Sequence, residues 1–185
     1  MRNRAGLETR ARILDATRRL LADGGLDGTT VKAICDSAGI RAGSFYNLFA
    51  SKEEAVLTVV REAITAVDPD PGGTGTDHLD DLVDAYVRFV RDEPRLARVY
   101  FIVALSGGLA DTKIAARMLR HHEARVERFT QAFLRARPDV DPGRATETME
   151  SLIAALNGYA LHTLIDPTFD FAGHAKRLLQ MEPSP

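Results

Sequence analysis

Four side chains in one short stretch could read a polyanion. Arg41, Ser44, Tyr46 and Asn47 each carry a hydrogen-bond donor, and no acidic residue interrupts them. Donors of this kind suit phosphate oxygens and the edges of bases. The other groups with ligating or reactive chemistry are scattered. His121-His122-Glu123 has the residue types of a metal site. Successive residues on a helix diverge by about 100°, so these three cannot converge on one ion, and His122 could pair only with a distant group such as His162. A polar helix surface is the better reading, and no metal is expected. Cys35 is the only cysteine, which excludes an internal disulfide and suits a reducing cytosol. It reads as a buried, inert thiol, with a redox switch as the alternative. No serine sits in a nucleophile-elbow context and no glycine loop has phosphate-cradling spacing, so neither catalysis nor a bound cofactor is expected.

The elements that must position the donors lie between Thr29 and Lys52, TTVKAICDSAGIRAGSFYNLFASK. Val31, Ile34, Cys35 and Ala38 form an apolar stripe on one helical face, with Thr29 or Thr30 available to cap its start. Gly39 follows, where a left-handed residue must turn the chain. A second short helix is expected over about Ala42 to Phe49, and Ser51-Lys52-Glu53-Glu54 is a capping box opening a longer one. Two helices joined in this way form a helix-turn-helix or an ordinary helical hairpin, and the pattern alone leaves both open.

Residues 9 to 60 resemble the N-terminal domain of the TetR/AcrR family of transcriptional regulators. The resemblance rests on the helix-1 pattern, Gly24, Thr29-Thr30-Val31, Ile34-Cys35, Ala38-Gly39-Ile40, Gly43-Ser44-Phe45-Tyr46, Phe49 and Ser51-Lys52-Glu53. It departs from the family at Cys35, usually alanine, at Arg41, often a small hydroxyl residue that caps the second helix, and at Leu48, frequently histidine. The resemblance implies that Thr30, Tyr46 and Lys52 grip phosphates. Arg41, Ser44 and Asn47 would read bases or touch adjacent phosphates, with Ala42 and Gly43 in the same segment of the major groove. It further implies a homodimer through the last two helices, a palindromic double-stranded operator, a small-molecule effector and repression.

Bulk properties frame this reading. The chain has 185 residues, 45% hydrophobic and with net charge −2. Residues 1 to 49 hold eight basic and five acidic side chains, while the remainder holds sixteen and twenty-one. A basic front on an acidic body fits a DNA-reading head joined to something else. No apolar run approaches the ~20 residues of a bilayer span, and no secretion signal is seen, so a cytoplasmic protein is expected.

The expected fold is all-α with about nine helices: a three-helix helix-turn-helix domain over 1–51 and an effector-binding and dimerisation bundle over 52–185. Residues 1 to 8 read as an arm, and helix 1 as about Thr9 to Asp23, stopped by Gly24-Gly25. Helix 4 should span about Lys52 to Val67, and the Asp68–Thr76 segment, DPDPGGTGT, should be a surface loop. Helix 5 (about His78 to Arg91) should be capped by Asp77. Helix 6 (about Arg95 to Leu105) is apolar nearly all round, so burial is expected, with Ser106-Gly107-Gly108 ending it. Helix 7 should run from about Asp111 to Ala136, with Ile114, Ala115, Met118, Leu119, His122, Val126, Phe129 and Phe133 inward. Helix 8 opens at Asp141-Pro142, and helix 9 covers about Phe171 to Met181.

Helix 8 has more apolar positions than one stripe needs, with Ala154 and Gly158 small enough for close approach by a second subunit. A monomer with helix 8 central in its bundle is the alternative. Phe89, Tyr100, Phe101, Met118, Phe129, Met149 and Tyr159 could line an apolar cavity, with His122, Asn157 and His162 as orienting groups; plain core is the competing reading. The alternative function is a helical ligand-binding or scaffold protein whose head no longer reads DNA.

Overall fold

A computed structural model of the chain describes the backbone of residues 2–110 and 112–180, with side chains described over 4–105 and 113–180. Every regular element among the described residues is an α-helix. In chain order these are α1 (Arg2–Gly28), α2 (Val31–Ala38), α3 (Ala42–Tyr46), α4 (Lys52–Ala66), α5 (Leu79–Asp92), α6 (Pro94–Ala110), α7 (Thr112–Ala136), α8 (Pro142–Ile165) and α9 (Phe171–Gln180). The expected all-α class and element order are what the chain adopts. Asp111 and Met181, expected at helix ends, lie outside the described residues.

The chain forms two compact units. The first runs to Ala63 and adds Arg95–Ile114; the second is Ile64–Pro94 with the chain from Ala115 onward. The sequence places the division at 51/52, on the expected functions of the two parts. Packing instead keeps α4 up to Ala63 in the first unit.

In the first unit, α1 buries Ile13, Leu14, Ala16, Thr17 and Leu21. It begins at Arg2, so the segment read as an arm is helical: Arg4 Nε donates to Glu8 at 3.2 Å and Thr9 Oγ1 donates to the Ala5 carbonyl at 2.8 Å. Gly25 breaks the regular helix at φ 63°, ψ −160°, a conformation that glycine alone adopts without strain. Thr29 is then buried, with Oγ1 donating to the Gly25 carbonyl at 2.7 Å. In α4, six consecutive residues from Ala55 to Val60 are buried, so more of its circumference is covered than one stripe. Ala63 and Ile64 near the end of α4, and Val67 just beyond it, are only half-buried.

Helix α6 continues through Ser106-Gly107-Gly108 to Ala110, against the expectation that these residues stop it. Glycine permits a left-handed exit but does not impose one. Nor is the helix buried all round. Leu96, Ala97, Val99 and Val103 are enclosed, while Ile102 is 41% and Leu105 71% exposed. Arg95 Nη1 donates to the Ala22 carbonyl and so seats the start of α6 on the end of α1.

In the second unit the core comes from α5 (Leu82, Val83, Val87, Phe89, Val90), α7 (Val126, Phe129, Ala132), α8 (Met149, Leu152, Ile153, Leu156, Ala160) and α9 (Phe171, Ala175). Asp141 caps α8 by accepting from the Arg144 amide at 3.0 Å, with Pro142 at the first helical position. Two expectations fail on α7: Leu119 and His122 are exposed rather than inward. The stripe continues along the helix, but nothing among the described residues covers those two positions.

Asp77 does not cap α5; His78 occupies that position, and its amide donates to Asp81 at 3.1 Å. The Asp77 side chain is 2% exposed and accepts from Arg128 Nε at 2.6 Å and Arg135 Nη2 at 2.7 Å. Arg128 also grips Asp68 in a fork at 2.6 and 2.9 Å, which holds the Asp68 carboxyl below the usual carboxylate range. The loop between α4 and α5 is organised around Asp70, which accepts from the Thr74 amide and hydroxyl and from the Gly75 amide at 2.6 Å.

Candidate nucleic-acid interface

Thr30, not Thr29, is the N-cap of α2, its Oγ1 accepting from the Ala33 amide at 3.1 Å. At the other end Gly39 takes φ 63°, ψ 43°. The Ile40 amide donates to the Cys35 carbonyl at 3.0 Å and the Gly39 amide to the Asp36 carbonyl at 3.3 Å. These two bonds form a Schellman turn, which satisfies carbonyls that α2 would otherwise leave open and aims the chain into α3.

The second helix is shorter than expected, five residues rather than eight. Phe45 and Phe49, 0% and 3% exposed, anchor it with ring centroids 5.7 Å apart, and the Arg10 guanidinium lies 5.7 Å from the Phe49 ring. The helical ladder loosens after Tyr46, where Leu48 donates to the Phe45 carbonyl one residue short of α spacing. Arg41 occupies the N-cap position and makes no side-chain cap; the departure from a small hydroxyl residue leaves its guanidinium outside the helix.

Arg41, Ala42, Gly43, Ser44, Tyr46 and Asn47 are all exposed, Tyr46 to 57%. A Cβ on Gly43 would meet nothing within 4 Å, so a large object has room to approach the backbone there. Among the described residues Arg41 makes no ion pair. Lys52 is half-buried, and its Nζ donates to the Leu26 carbonyl at 3.4 Å, a long bond that a stronger acceptor could replace. The first acids after Asp36 are Glu53 and Glu54, in the first turn of α4 where the helix dipole favours them. Ser51 Oγ accepts from the Glu54 amide at 3.2 Å, as the capping box requires, but Glu54 reaches back to the Ala50 amide at 2.7 Å instead of to Ser51. The result is a donor-rich, acid-free outer face on a short helix whose opposite side is fixed by two phenylalanines.

Sequence reasoning missed the struts behind this face. Arg10 and Arg18 of α1 both pair with Glu62 at 3.7 and 3.2 Å and tie α1 to α4. Arg12 donates to the Ala38 carbonyl at 3.4 Å, at the corner between α2 and α3. Their partners lie tens of residues away, so no local pattern reveals them. Cys35 is 5% exposed under this corner, and burial pushes its thiol pKa up, which disfavours the reactive thiolate.

Residues 13–59 match the family model described as bacterial regulatory proteins, tetR family. Over that segment the chain is similar to the TetR/AcrR family of transcriptional regulators. Over 53 residues it is 47% identical to the transcriptional repressor KstR2 of Mycolicibacterium smegmatis, covering 29% of this chain and 26% of that protein. It is 28% identical over 117 residues to the transcriptional regulator UidR of Escherichia coli, covering 62% of this chain and 59% of that protein. The matches thus span well under the full length of these curated relatives. A TetR transcription regulator from Haloarcula marismortui shares the fold at TM-score 0.74 and 15% identity, with 93% of this chain and 94% of that chain covered. The family match falls on the helix-turn-helix, where the exposed donors lie.

The residues suggested for an effector pocket are distributed unevenly. Tyr100 and Phe101, half-buried, belong to the first unit. In the second unit Phe89 and Met149 are core, Met118 and Asn157 are half-buried, and His122 and His162 are exposed. Asn157 has defined partners: its Oδ1 accepts from the Tyr86 hydroxyl at 2.9 Å and from Arg125 Nη2 at 3.1 Å. No group of three His, Cys, Asp or Glu with metal-holding geometry occurs among the described residues, and no described helix is long and apolar enough to cross a membrane.

Proposed function

We propose that this chain is a DNA-binding transcriptional repressor that reads a palindromic operator as a homodimer and is released from it by a small, mostly apolar effector. One observation carries the DNA-reading part: Arg41, Ser44, Tyr46 and Asn47 stand exposed on the side of α3 opposite its buried Phe45 anchor. In this reading Ala42 to Leu48 enters the major groove. Thr30, Tyr46 and Lys52 hold phosphates, and Arg41, Ser44 and Asn47 contact bases or neighbouring phosphates.

The dimer reading is supported by α8. Ser151, Ala154, Leu161 and Ile165 recur every three or four residues and are all exposed, Leu161 to 41% and Ile165 to 81%. Gly158, in the same row, is half-buried. A row that is small in the middle and apolar at its end suits a second copy of α8 and α9. Twofold symmetry then presents two reading heads to half-sites ~34–36 Å apart. Effector binding in the second unit would act through α4, which carries the chain from one unit into the other at Ala63. A typical coupling of ~1–3 kcal/mol weakens operator binding from several-fold to about a hundredfold.

The test is a gel shift with DNA from upstream of the chain's own gene, at about 100 mM salt, comparing the natural chain with Tyr46→Ala. Specific retardation by the natural chain, lost in the variant, is expected. Absence of any salt-resistant shift would leave a ligand-binding or scaffold protein with a silent head. Light scattering at twice the 20.2 kDa chain mass is expected in the same buffer.

A further inference from the structure

Three arginines of α7 have partners within the second unit, and they are not treated alike. Arg128 and Arg135 are neutralised by Asp68 and Asp77. Arg125, half-buried, forms no ion pair with any described carboxylate. Its guanidinium lies 5.3 Å from the Tyr86 ring centroid and uses Nη2 to reach Asn157 Oδ1 at 3.1 Å. That same oxygen takes the Tyr86 hydroxyl at 2.9 Å, which fixes the orientation of the Asn157 amide. With Oδ1 turned to its two donors, Nδ2 points away, and it finds no acceptor among the described residues. Arg125 Nε and Nη1 find none either. These atoms keep contact with solvent, because Thr130 Oγ1 is the one described side-chain polar atom that is both sealed in and unpartnered. Phe171 meets Tyr86 edge-on at 6.0 Å, and Tyr159 meets Phe171 at 6.4 Å, giving an aromatic wall beside the donors.

We propose that Arg125 and Asn157, on the Tyr86 ring, form the head-group site for a carboxylate, so that the effector is an organic acid with an apolar body. The site has surplus donors and a positive charge without a counter-ion among the described residues. A guanidinium fork beside an amide N–H matches the two oxygens of a carboxylate, and the aromatic wall suits an apolar chain or ring next to it. The guanidinium over the Tyr86 ring and its bond to Asn157 pre-orient the fork, so little side-chain freedom is lost on binding. The inference rests on the proposal that the second unit binds an effector, and it narrows the class of that effector from apolar to amphipathic and anionic.

Calorimetry on the full chain tests it with two matched pairs of probes: decanoate and decanamide, 4-phenylbutyrate and 4-phenylbutyramide. At least one acid should bind more tightly than its amide by about tenfold to a hundredfold, the range of a charge-assisted contact. Arg125→Gln should bring that acid to the affinity of its amide, and Arg125→Lys should recover part of the preference. Asn157→Asp, nearly isosteric, should weaken the acid and leave the amide unchanged; it serves if Arg125→Gln does not fold. Equal binding of acid and amide, a preference that survives both variants, or no acid bound at millimolar concentration overturns the inference. An amide that binds as tightly as its acid and releases DNA would overturn it while leaving the effector reading intact. An acid that binds as expected without affecting DNA would do the reverse.

Discussion

Lys52→Ala offers a quantitative test of the proposed DNA geometry. The side chain sits at the first position of α4, half-buried, and its single described contact is the 3.4 Å bond to the Leu26 carbonyl. Losing so long a bond should cost at most about 0.5–1 kcal/mol of stability, so the melting temperature should move by no more than about 4 °C. The effect on DNA should be larger and electrostatic. One lost phosphate contact flattens the slope of log affinity against log salt by about 0.9. A dimer loses two, so the slope should change by about 1.8. Between about 50 and 200 mM salt, a fourfold change, the ratio of natural to variant affinity should therefore shrink about twelvefold. Gel shifts or fluorescence anisotropy on the operator and on a scrambled duplex, at four or more salt concentrations, measure this directly. Both duplexes should lose affinity to a similar degree, because a phosphate grip carries no sequence information. Parallel salt lines for the two proteins, or a change in base preference, would refute the assigned role.

Other consequences follow from individual residues. Asp77→Ala removes the carboxylate shared by Arg128 and Arg135. A fully buried broken pair costs ~3–5 kcal/mol; both guanidinia are more than a third exposed and can rehydrate, so a loss of about 2–3 kcal/mol is expected, read as a Tm lower by roughly 4–12 °C, and a drop under 1 °C would contradict it. Arg128 lowers the Asp68 pKa in the folded chain, so this stabilisation is complete above the unfolded value near pH 3.9 and fades as pH falls from there through the folded value. The acid limb of Tm against pH should be shallower in Asp68→Asn, whose Tm at neutral pH is lower; identical limbs would count against the fork. Gly39→Ala places a Cβ at φ 63° where nothing crowds it, so the cost should be the conformational ~1–2 kcal/mol alone, seen as weaker DNA binding together with a small fall in Tm. Ile165→Glu on the exposed row of α8 should yield particles of single-chain mass in light scattering, and an unchanged dimer would move the interface elsewhere.

The sequence by itself determined the elements whose causes are local. The stripe of Val31, Ile34, Cys35 and Ala38, Gly39 at the turn and the Ser51 hydroxyl cap on the Glu54 amide all formed where the pattern placed them, because caps, stripes and left-handed turns involve near neighbours in the chain; the returning half of the capping box went to Ala50 instead. The resemblance to the TetR/AcrR family rests on those same residues. Tertiary structure decided what local signals left open or misread. Thr30 rather than Thr29 caps α2 because Thr29 is buried and bonded to the Gly25 carbonyl. Asp77 looked like a helix cap and became the partner of two arginines 51 and 58 residues away. The glycines at 107 and 108 did not end α6, since a glycine enables a turn that only packing can impose. Leu119 and His122 lie on the apolar side of α7 but stay exposed, because periodicity reports which face is apolar and not whether anything covers it. Arg125, one arginine among twenty in the sequence, acquires its meaning only when three helices bring Tyr86 and Asn157 to it and no carboxylate among the described residues arrives with them.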